Sequence, residues 1–461
     1  MIDDENMKEK ELLLAENEAT LKFNYEINPK EILLLMATVL TQPSHIILKS
    51  KEMMCEEGHK LKVISIFSLD EKICPIHNVP FLEKSKGTSE SHEYITFKVK
   101  QGVDEITCFS ENNKELLSKL DIYDKVNIKG IQLTIKTSNQ SIYTKGVMIS
   151  EIELYEDKAV QRTLLNKEMA IKKFMSNMPK LNYDDATWDA YKHSLMLSMV
   201  YTGINILVIG EPATFKTIFG YSIKNICDGA YMDIPKGTKT GLLGMASKDI
   251  SGKYHLEGGQ IFLAKNNVLV LDEIEKFDDY SYLYPLNEVI ANHRLTYNKA
   301  DIKYENANFN ISLLAFGNPS KTLFSNDRPI AKQIEDTFIR NKEFLSRMHL
   351  IWGLRNVGFD VSALMDTSKE RDAQMEQELA VFIAQAKKIK IKETNISEEA
   401  KNEQKDYIEK RYMFTKDLRF AKKFKDMCIA EAKLNMRDNI TLSDVKEIEN
   451  IISIQDKLLW G

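Results

Sequence analysis

Cysteine is sparse in this chain, with five among 461 residues, at Cys55, Cys74, Cys108, Cys227 and Cys428. An odd, scattered set excludes the disulfide framework that holds small secreted domains together. Glycine and proline are also few, at 19 and 10, which excludes long low-complexity linkers. No apolar run reaches the roughly 18–20 residues that span a bilayer. The acidic, polar opening MIDDENMKEKELLLAENEA lacks the form of a secretory signal. An intracellular protein without a membrane partner is expected, in cytoplasm or nucleoid if the source is prokaryotic. An excess of positive charge is missing too. The formal net charge is −5, so any nucleic-acid contact must use local basic patches or the lumen of a ring. What is present, 43% apolar and 28% charged residues, is ordinary for a globular chain and long enough for two or three domains.

The text changes character along its length. Residues 1–26 read as a short lead-in. From 27 to 157, short β-rich runs (EILLLMATVL, HIILKSKEMM, KLKVISIF, EYITFKVK, DEITCFS, DKVNIKGIQLTI, GVMISEIEL) alternate with turn-like clusters such as SKGTSES and KTSNQS. That spacing predicts a small barrel or sandwich, and a five-stranded OB-type barrel with an insertion around 53–80 fits the length. Residues 158–190 read as a charged helical connector. From 191 to 360, helical patterns alternate with the nearly all-apolar strands INILVIG, NNVLVLDE and ISLLAFGN. Such runs belong in a parallel sheet covered on both faces, so the expected fold is multi-domain with a central α/β nucleotide-binding core. The stretch 361–461, rich in Glu, Lys, Ala and Ile at helical spacing, predicts a helical lid.

Four short segments carry chemistry. The strand INILVIG runs into Gly210-Glu211-Pro212-Ala213-Thr214-Phe215-Lys216-Thr217. A loop of this length before a helix wraps phosphates with backbone N–H groups. Lys216 supplies a point charge to the outer phosphates and Thr217 a hydroxyl to Mg²⁺. Glycine is the general expectation where Phe215 stands, and common where Ala213 stands. The second segment, Val268-Leu269-Val270-Leu271-Asp272-Glu273, places two acids at a strand end, with Asp272 assigned to the Mg²⁺ shell and Glu273 to polarising the attacking water. The third ends the strand ISLLAFGNP in Asn318, a side chain able to orient a water. The fourth, Phe344-Leu345-Ser346-Arg347, offers an arginine finger to a neighbouring subunit. Singly, each is compatible with a structural role. Their order along one chain points to ATP hydrolysis.

These segments resemble the AAA+ motor of the minichromosome maintenance (MCM) DNA helicases. GEPATFKT is similar to that family's phosphate loop, SGKYHLEGGQIFLAKNNVLVLDEIEKF to the stretch leading into its Mg²⁺-binding acids, AFGNP to its sensor asparagine strand, and LSRMHLI to its arginine-finger segment. DLRFAKKFKDMCIAEAK resembles, more loosely, the lid helix bearing a second sensor arginine, here Arg419. The resemblance implies a homo-oligomeric ring, hexameric in the family, that binds ATP and Mg²⁺ between subunits and moves on single- and double-stranded DNA during replication. Measured against that family, the helical subdomain before the barrel is expected to be reduced to residues 1–26, and no winged-helix domain is expected after the lid.

Between the acid pair and Asn318, RLTYNKADIKY alternates apolar and polar residues like a hairpin turning near Asn298–Asp301, with Lys299 at its tip. The resemblance implies that this lysine grips DNA in the central channel. Lys248 and Lys253, in the segment 241–255, are further candidates for DNA contact. The pairs Cys55/His59 and Cys74/His77 have the short internal spacing of a Cys₂His₂ zinc site. They equally suit buried cysteines beside surface histidines. Two other functions stay open: an AAA+ remodeller of protein substrates, and a catalytically weak DNA-binding or loading factor, which the departures at Ala213 and Phe215 keep in view.

Overall fold

The structure, a computed structural model, describes residues 30–461 apart from 57–59, 65–66, 68–78, 81, 84–89, 103, 112–113, 118, 137–142, 156–164, 177–178, 249–253, 278–282, 300–301, 339–341, 360–372 and 393. It divides into two compact units: 1–157 with 246–258 and 300–302, and the remainder.

The first unit contains β1 (Glu31–Val39), β2 (Ser44–Met54), β3 (Lys60–Ile64), β4 (Leu82–Glu83), β5 (Glu90–Gln101), β6 (Asp104–Ser110), β7 (Lys125–Lys136) and β8 (Tyr143–Leu154). Alternation drives these strands: along β2, Ile46 and Leu48 are buried while Ile47 and Lys49 are exposed, so one face seeks a core. The order is β1-β7-β8-β6-β5-β2-β3, with β4 on β2. An additional β1–β5 pairing closes β1, β7, β8, β6 and β5 into a ring. Within it, β6 and β8 run parallel while the other pairs are antiparallel. Leu34, Phe97, Val99, Cys108 and Val147 fill its interior.

The second unit is built on a parallel sheet. Along the chain come β9 (Ile206–Gly210), β10 (Ala230–Asp233), then β11 (Met245–Lys248) and β12 (Tyr254–Glu257), which fall almost wholly in the stretch 246–258 of the first unit, and after them β13 (Asn267–Asp272), β14 (Leu295–Lys299), β15 (Ile302–Asn306), β16 (Ile311–Gly317) and β17 (Leu350–Leu354). Five of them form one sheet in the order β10-β13-β16-β9-β17, every neighbouring pair parallel. β11 pairs with β12, and β14 with β15. β16 inserts between β9 and β13, so the connections leaving β9 and β13 diverge at their C-terminal ends. Such a switch point opens the crevice in which α/β sheets bind ligands. β9 and β16 are buried throughout, as expected of strands covered on both faces.

The principal helices are α1 (Lys167–Ser176), α2 (Asp185–Val200), α3 (Lys216–Cys227), α4 (Leu283–Asn292), α5 (Ala373–Lys388), α6 (Glu398–Thr415), α7 (Phe420–Leu434) and α8 (Leu442–Trp460). α2 starts where Asp184 accepts the Thr187 N–H at 2.9 Å, and α8 opens on a capping box between Thr441 and Asp444. The C-terminal helices pack on α2 and share its core, with Phe382, Phe424, Met427 and Ile448 joining Trp188, Tyr191 and Leu195. Among the described residues, no helix is long and apolar enough to cross a membrane.

One charged cluster lies inside that packing. Glu431 of α7, 1% exposed, is ion-paired with Lys167 of α1 and with His193 of α2 at 2.7 Å, and His193 also meets Glu447 of α8 at 3.2 Å. Burial alone would push the His193 pKa down, but the Glu431 charge and the bonds to both glutamates raise it. Burial acts upward on Glu431, yet the His193 and Lys167 charges hold it at about 2. A raised histidine pKa stabilises fully below its unfolded value of about 6.5 and loses that contribution as pH climbs through the folded value. The melting temperature is therefore expected to fall as pH rises beyond about 6.5. Glu431→Gln takes the shared anion from buried His193, which keeps Glu447, and from half-buried Lys167, and should cost about 2–3 kcal/mol in denaturant titrations.

Candidate active site

The loop after β9 is shaped by its backbone. Ala213 and Phe215 both take left-handed conformations, each at φ 61°. Glycine is the usual residue at such angles, and a side chain there carries strain of about 1–3 kcal/mol. The Phe215 ring packs edge-on against Phe359, centroids 5.4 Å apart. At Gly210 a Cβ would lie 2.6 Å from the Thr214 hydroxyl, so only glycine allows the loop to fold back this tightly.

Lys216 opens α3, is 8% exposed, and points into the loop it terminates. Its ammonium donates to the carbonyls of Gly210 at 2.7 Å and Glu211 at 2.9 Å, and to Thr214 Oγ1 at 3.0 Å. Burial lowers its pKa to about 8, against the opposing pull of Asp272, Glu275, Glu211 and Glu273. An ammonium so short of solvent is well placed to bind an anion. Beside it, the Thr217 hydroxyl donates to Asp272 Oδ2 at 2.7 Å. Hydroxyl and carboxylate oxygens together make a hard donor set that suits Mg²⁺.

Asp272 ends β13, and Glu273 follows in a left-handed conformation at φ 57° with its carboxylate ion-paired to Lys276 at 2.7 Å. Asn318, just past β16, donates its amide to Glu275 Oε1 at 2.8 Å. The Asn318 carbonyl oxygen is thereby turned to the acceptor role. Lys216, Thr217, Asp272, Glu273 and Asn318 all lie at the C-terminal edge of the sheet, where β9, β13 and β16 stand side by side. Glu275 and Tyr231 belong to the same neighbourhood, and sequence reasoning missed both. The run Asp-Glu-Ile-Glu was a signal for the first; no local pattern marked the second. Glu211, placed with the phosphate loop by sequence, uses its carboxylate otherwise: it accepts the Phe324 N–H at 2.8 Å and the Asn356 N–H at 2.7 Å. It anchors the loop from behind while Pro212 and Thr214 continue the turn.

The two arginines lie elsewhere. Arg347 precedes β17, which runs parallel to β9 with Leu350 opposite Ile206 and Leu354 opposite Gly210. Lys216 follows the C-terminal end of β9, so the strand length separates the two, at roughly 3.3 Å per residue. At the N-terminal edge, Arg347 is ion-paired with Glu343, and its Nε is buried with no partner among the described residues. Arg419, at the start of α7, donates to the neighbouring Ser346 hydroxyl. Both line a cavity of about 300 Å³ with His293, His349, Lys422 and Lys423. The phosphate-loop and acid residues thus lie at one end of the sheet and the two arginines at the other.

Of the other sequence candidates, Lys299 is exposed at the end of β14, the first strand of a hairpin with β15. Lys248 ends β11 with its ammonium over the Tyr254 ring, 5.2 Å from the centroid. Lys253 lies outside the described residues, as do His59, Cys74 and His77. Cys55 is buried in a small apolar cluster with Met53, Leu61 and Val63. Among the described residues no group of three or more His, Cys, Asp or Glu side chains could hold a metal ion, and three of the four zinc candidates lie outside those residues.

Residues 190–366 match the family described as the MCM P-loop domain. The minichromosome maintenance protein MCM of Saccharolobus solfataricus is 30% identical over 155 residues, spanning 33% of this chain and 22% of that protein. The DNA replication licensing factor MCM2 of Arabidopsis thaliana is 26% identical over 156 residues, 33% of this chain and 16% of that one. The zygotic DNA replication licensing factor mcm6-A of Xenopus laevis is 30% identical over 118 residues, 25% and 14% respectively. The matched stretch thus spans less than a quarter of each relative's length.

Proposed function

From the premise that residues 190–366 are an MCM-family AAA+ P-loop NTPase domain, we propose that the chain is an ATP-driven motor that assembles in a ring and unwinds DNA. The observation that carries the reading is the division of the site. Phosphate-binding and acid residues stand at one edge of the sheet and two arginines at the other. One copy therefore cannot complete the chemistry, whereas adjacent copies in a ring can.

In this account Lys216 binds the outer phosphates of ATP, and the loop from Gly210 to Phe215 wraps them with backbone N–H groups. Thr217 and Asp272 hold the magnesium ion, which when bound neutralises phosphate charge. Glu273 polarises the attacking water and Asn318 orients it. Arg347, with Arg419, reaches the nucleotide of the neighbouring copy and stabilises charge on the transferring phosphoryl group. Residues 191–360 form the motor core, 361–461 the lid and 158–190 the connector. For residues 27–157, the closed ring with one parallel pair, β6 and β8, and a short helix (Lys114–Leu117) between β6 and β7 supports an OB-type barrel. Such barrels bind nucleic acid, and Lys299 is proposed to track phosphates with no base preference, as translocation requires.

Strand displacement on forked DNA with ATP tests the reading, run beside Glu273→Gln as the hydrolysis-deficient control. Unwinding by the wild type and none by the control is expected. Lys299→Ala should retain at least about half of the ATPase rate while unwinding falls roughly 10-fold or more, because a tip lysine acts on DNA and not on phosphate chemistry. Unwinding by Lys299→Ala at the full rate refutes the pore role, and ATP turnover indifferent to DNA favours a protein remodeller.

A further inference from the structure

We propose that Tyr231 is a positioning residue for the magnesium-binding carboxylate of Asp272, and that Tyr221 holds it in place. The inference rests on the reading of this site as one for ATP and magnesium.

Asp272 is fixed by three donors. The Thr217 hydroxyl and the Tyr231 hydroxyl both donate to Oδ2, at 2.7 Å and 2.9 Å, and the Glu273 N–H donates to Oδ1 at 2.9 Å. Two of these belong to the phosphate-loop helix and the acid strand. The third comes from β10, the edge strand of the sheet, which brings Tyr231 beside β13 through parallel pairing, Tyr231 opposite Val270 and Asp233 opposite Asp272. Tyr221 lies one turn beyond Thr217 on α3, on the same helix face. Its ring stacks on Tyr231 with centroids 4.1 Å apart and planes 18° from parallel. One helix face therefore supplies both a hydroxyl for Asp272 and a ring that pins the second hydroxyl.

The physical need is plain. Rotation about the Cβ–Cγ bond of an aspartate is soft, whereas magnesium demands near-octahedral oxygen geometry. Because the Thr217 hydroxyl donates its proton to Asp272, the lone pairs of the Thr217 oxygen would remain available to a cation. The Tyr231 hydroxyl keeps Oδ2 turned to receive that proton. Without it, the carboxylate is restrained on that oxygen by Thr217 alone.

The test measures binding of a fluorescent ATP analogue to the full chain, first in EDTA and then across a magnesium titration. Tyr231→Phe removes only the hydroxyl and keeps the stacked ring. It is expected to raise the magnesium concentration for half-maximal affinity gain about 3- to 10-fold, the size of one ordinary lost hydrogen bond. Tyr221→Ala, which loosens the ring and leaves the hydroxyl, should shift the midpoint the same way by less. A general structural defect would instead weaken binding equally with and without magnesium, and that result overturns the proposal. So does a Tyr231→Phe midpoint equal to that of the wild type. A wild type that binds no nucleotide overturns the site reading as well, so the two failures are distinguishable.

Discussion

Lys216→Ala is expected to lower ATP turnover roughly 100- to 1,000-fold, the cost of removing a preorganised charge from a water-poor site. The ammonium sits 8% exposed among four carboxylates, Glu211, Asp272, Glu273 and Glu275, each of which pulls its pKa upward. Take it away and a triphosphate would meet that acidic edge with only backbone N–H groups to offset it. The fold should survive. The ammonium's three bonds are to its own loop, and the apolar strands behind it are untouched. Phosphate release and a thermal melt on the same sample separate the two effects: turnover lost, melting temperature nearly kept. Turnover within about 10-fold of wild type would remove Lys216 from the mechanism.

Arg347→Ala should be nearly as damaging, roughly 1,000-fold in turnover, the lower end for loss of an arginine finger. Its signature differs. A strand's length divides Arg347 from the Lys216 loop of the same chain, so nucleotide binding by a single copy should remain while hydrolysis fails. Among the described residues Arg347 makes one ion pair, to Glu343, and its Nε is buried without a partner, so the arginine is held in place with donor capacity to spare. Arg419→Ala should follow the same pattern more weakly, since it meets Arg347's neighbour Ser346 and reaches the cavity from the lid side. Binding measured by fluorescence and turnover by phosphate release check the split.

What the sequence made legible is what local chemistry determines. β9, β13 and β16 could be read because a strand buried on both faces must be apolar at nearly every position. β10 and β17 were not named, and the reason is length and dilution. Ala230–Asp233 is four residues with one acid, and Leu350–Leu354 contains a glycine where Ile330 packs close. The strands of the first unit follow from alternation, but the ring does not. The pairing of β1 with β5 and of β6 with β8 joins segments far apart in the chain, and no run of residues announces such a partner.

The candidate site divides similarly. Residues lying on a strand end or helix start, such as Lys216, Thr217, Asp272 and Asn318, could be singled out by spacing. Tyr231 could not, because parallel register alone carries it to Asp272. Ala213 and Phe215 looked like departures from a glycine pattern, and their backbone shows the physical meaning: the chain keeps the left-handed conformations and bears the strain. Glu211 was grouped with the phosphate loop by position, whereas its carboxylate faces Phe324 and Asn356. Periodicity and spacing carry no information about which way a loop side chain turns.

The most direct test of the split site is complementation. Lys216→Ala and Arg347→Ala proteins, each nearly inactive alone, are mixed one to one and assayed for ATP hydrolysis. If the phosphate loop of one copy works with the arginine of the next, intact sites form wherever Lys216 of one variant meets Arg347 of the other, and turnover should rise well above either protein alone. A mixture no more active than its components, with assembly of the two variants verified, would contradict the account.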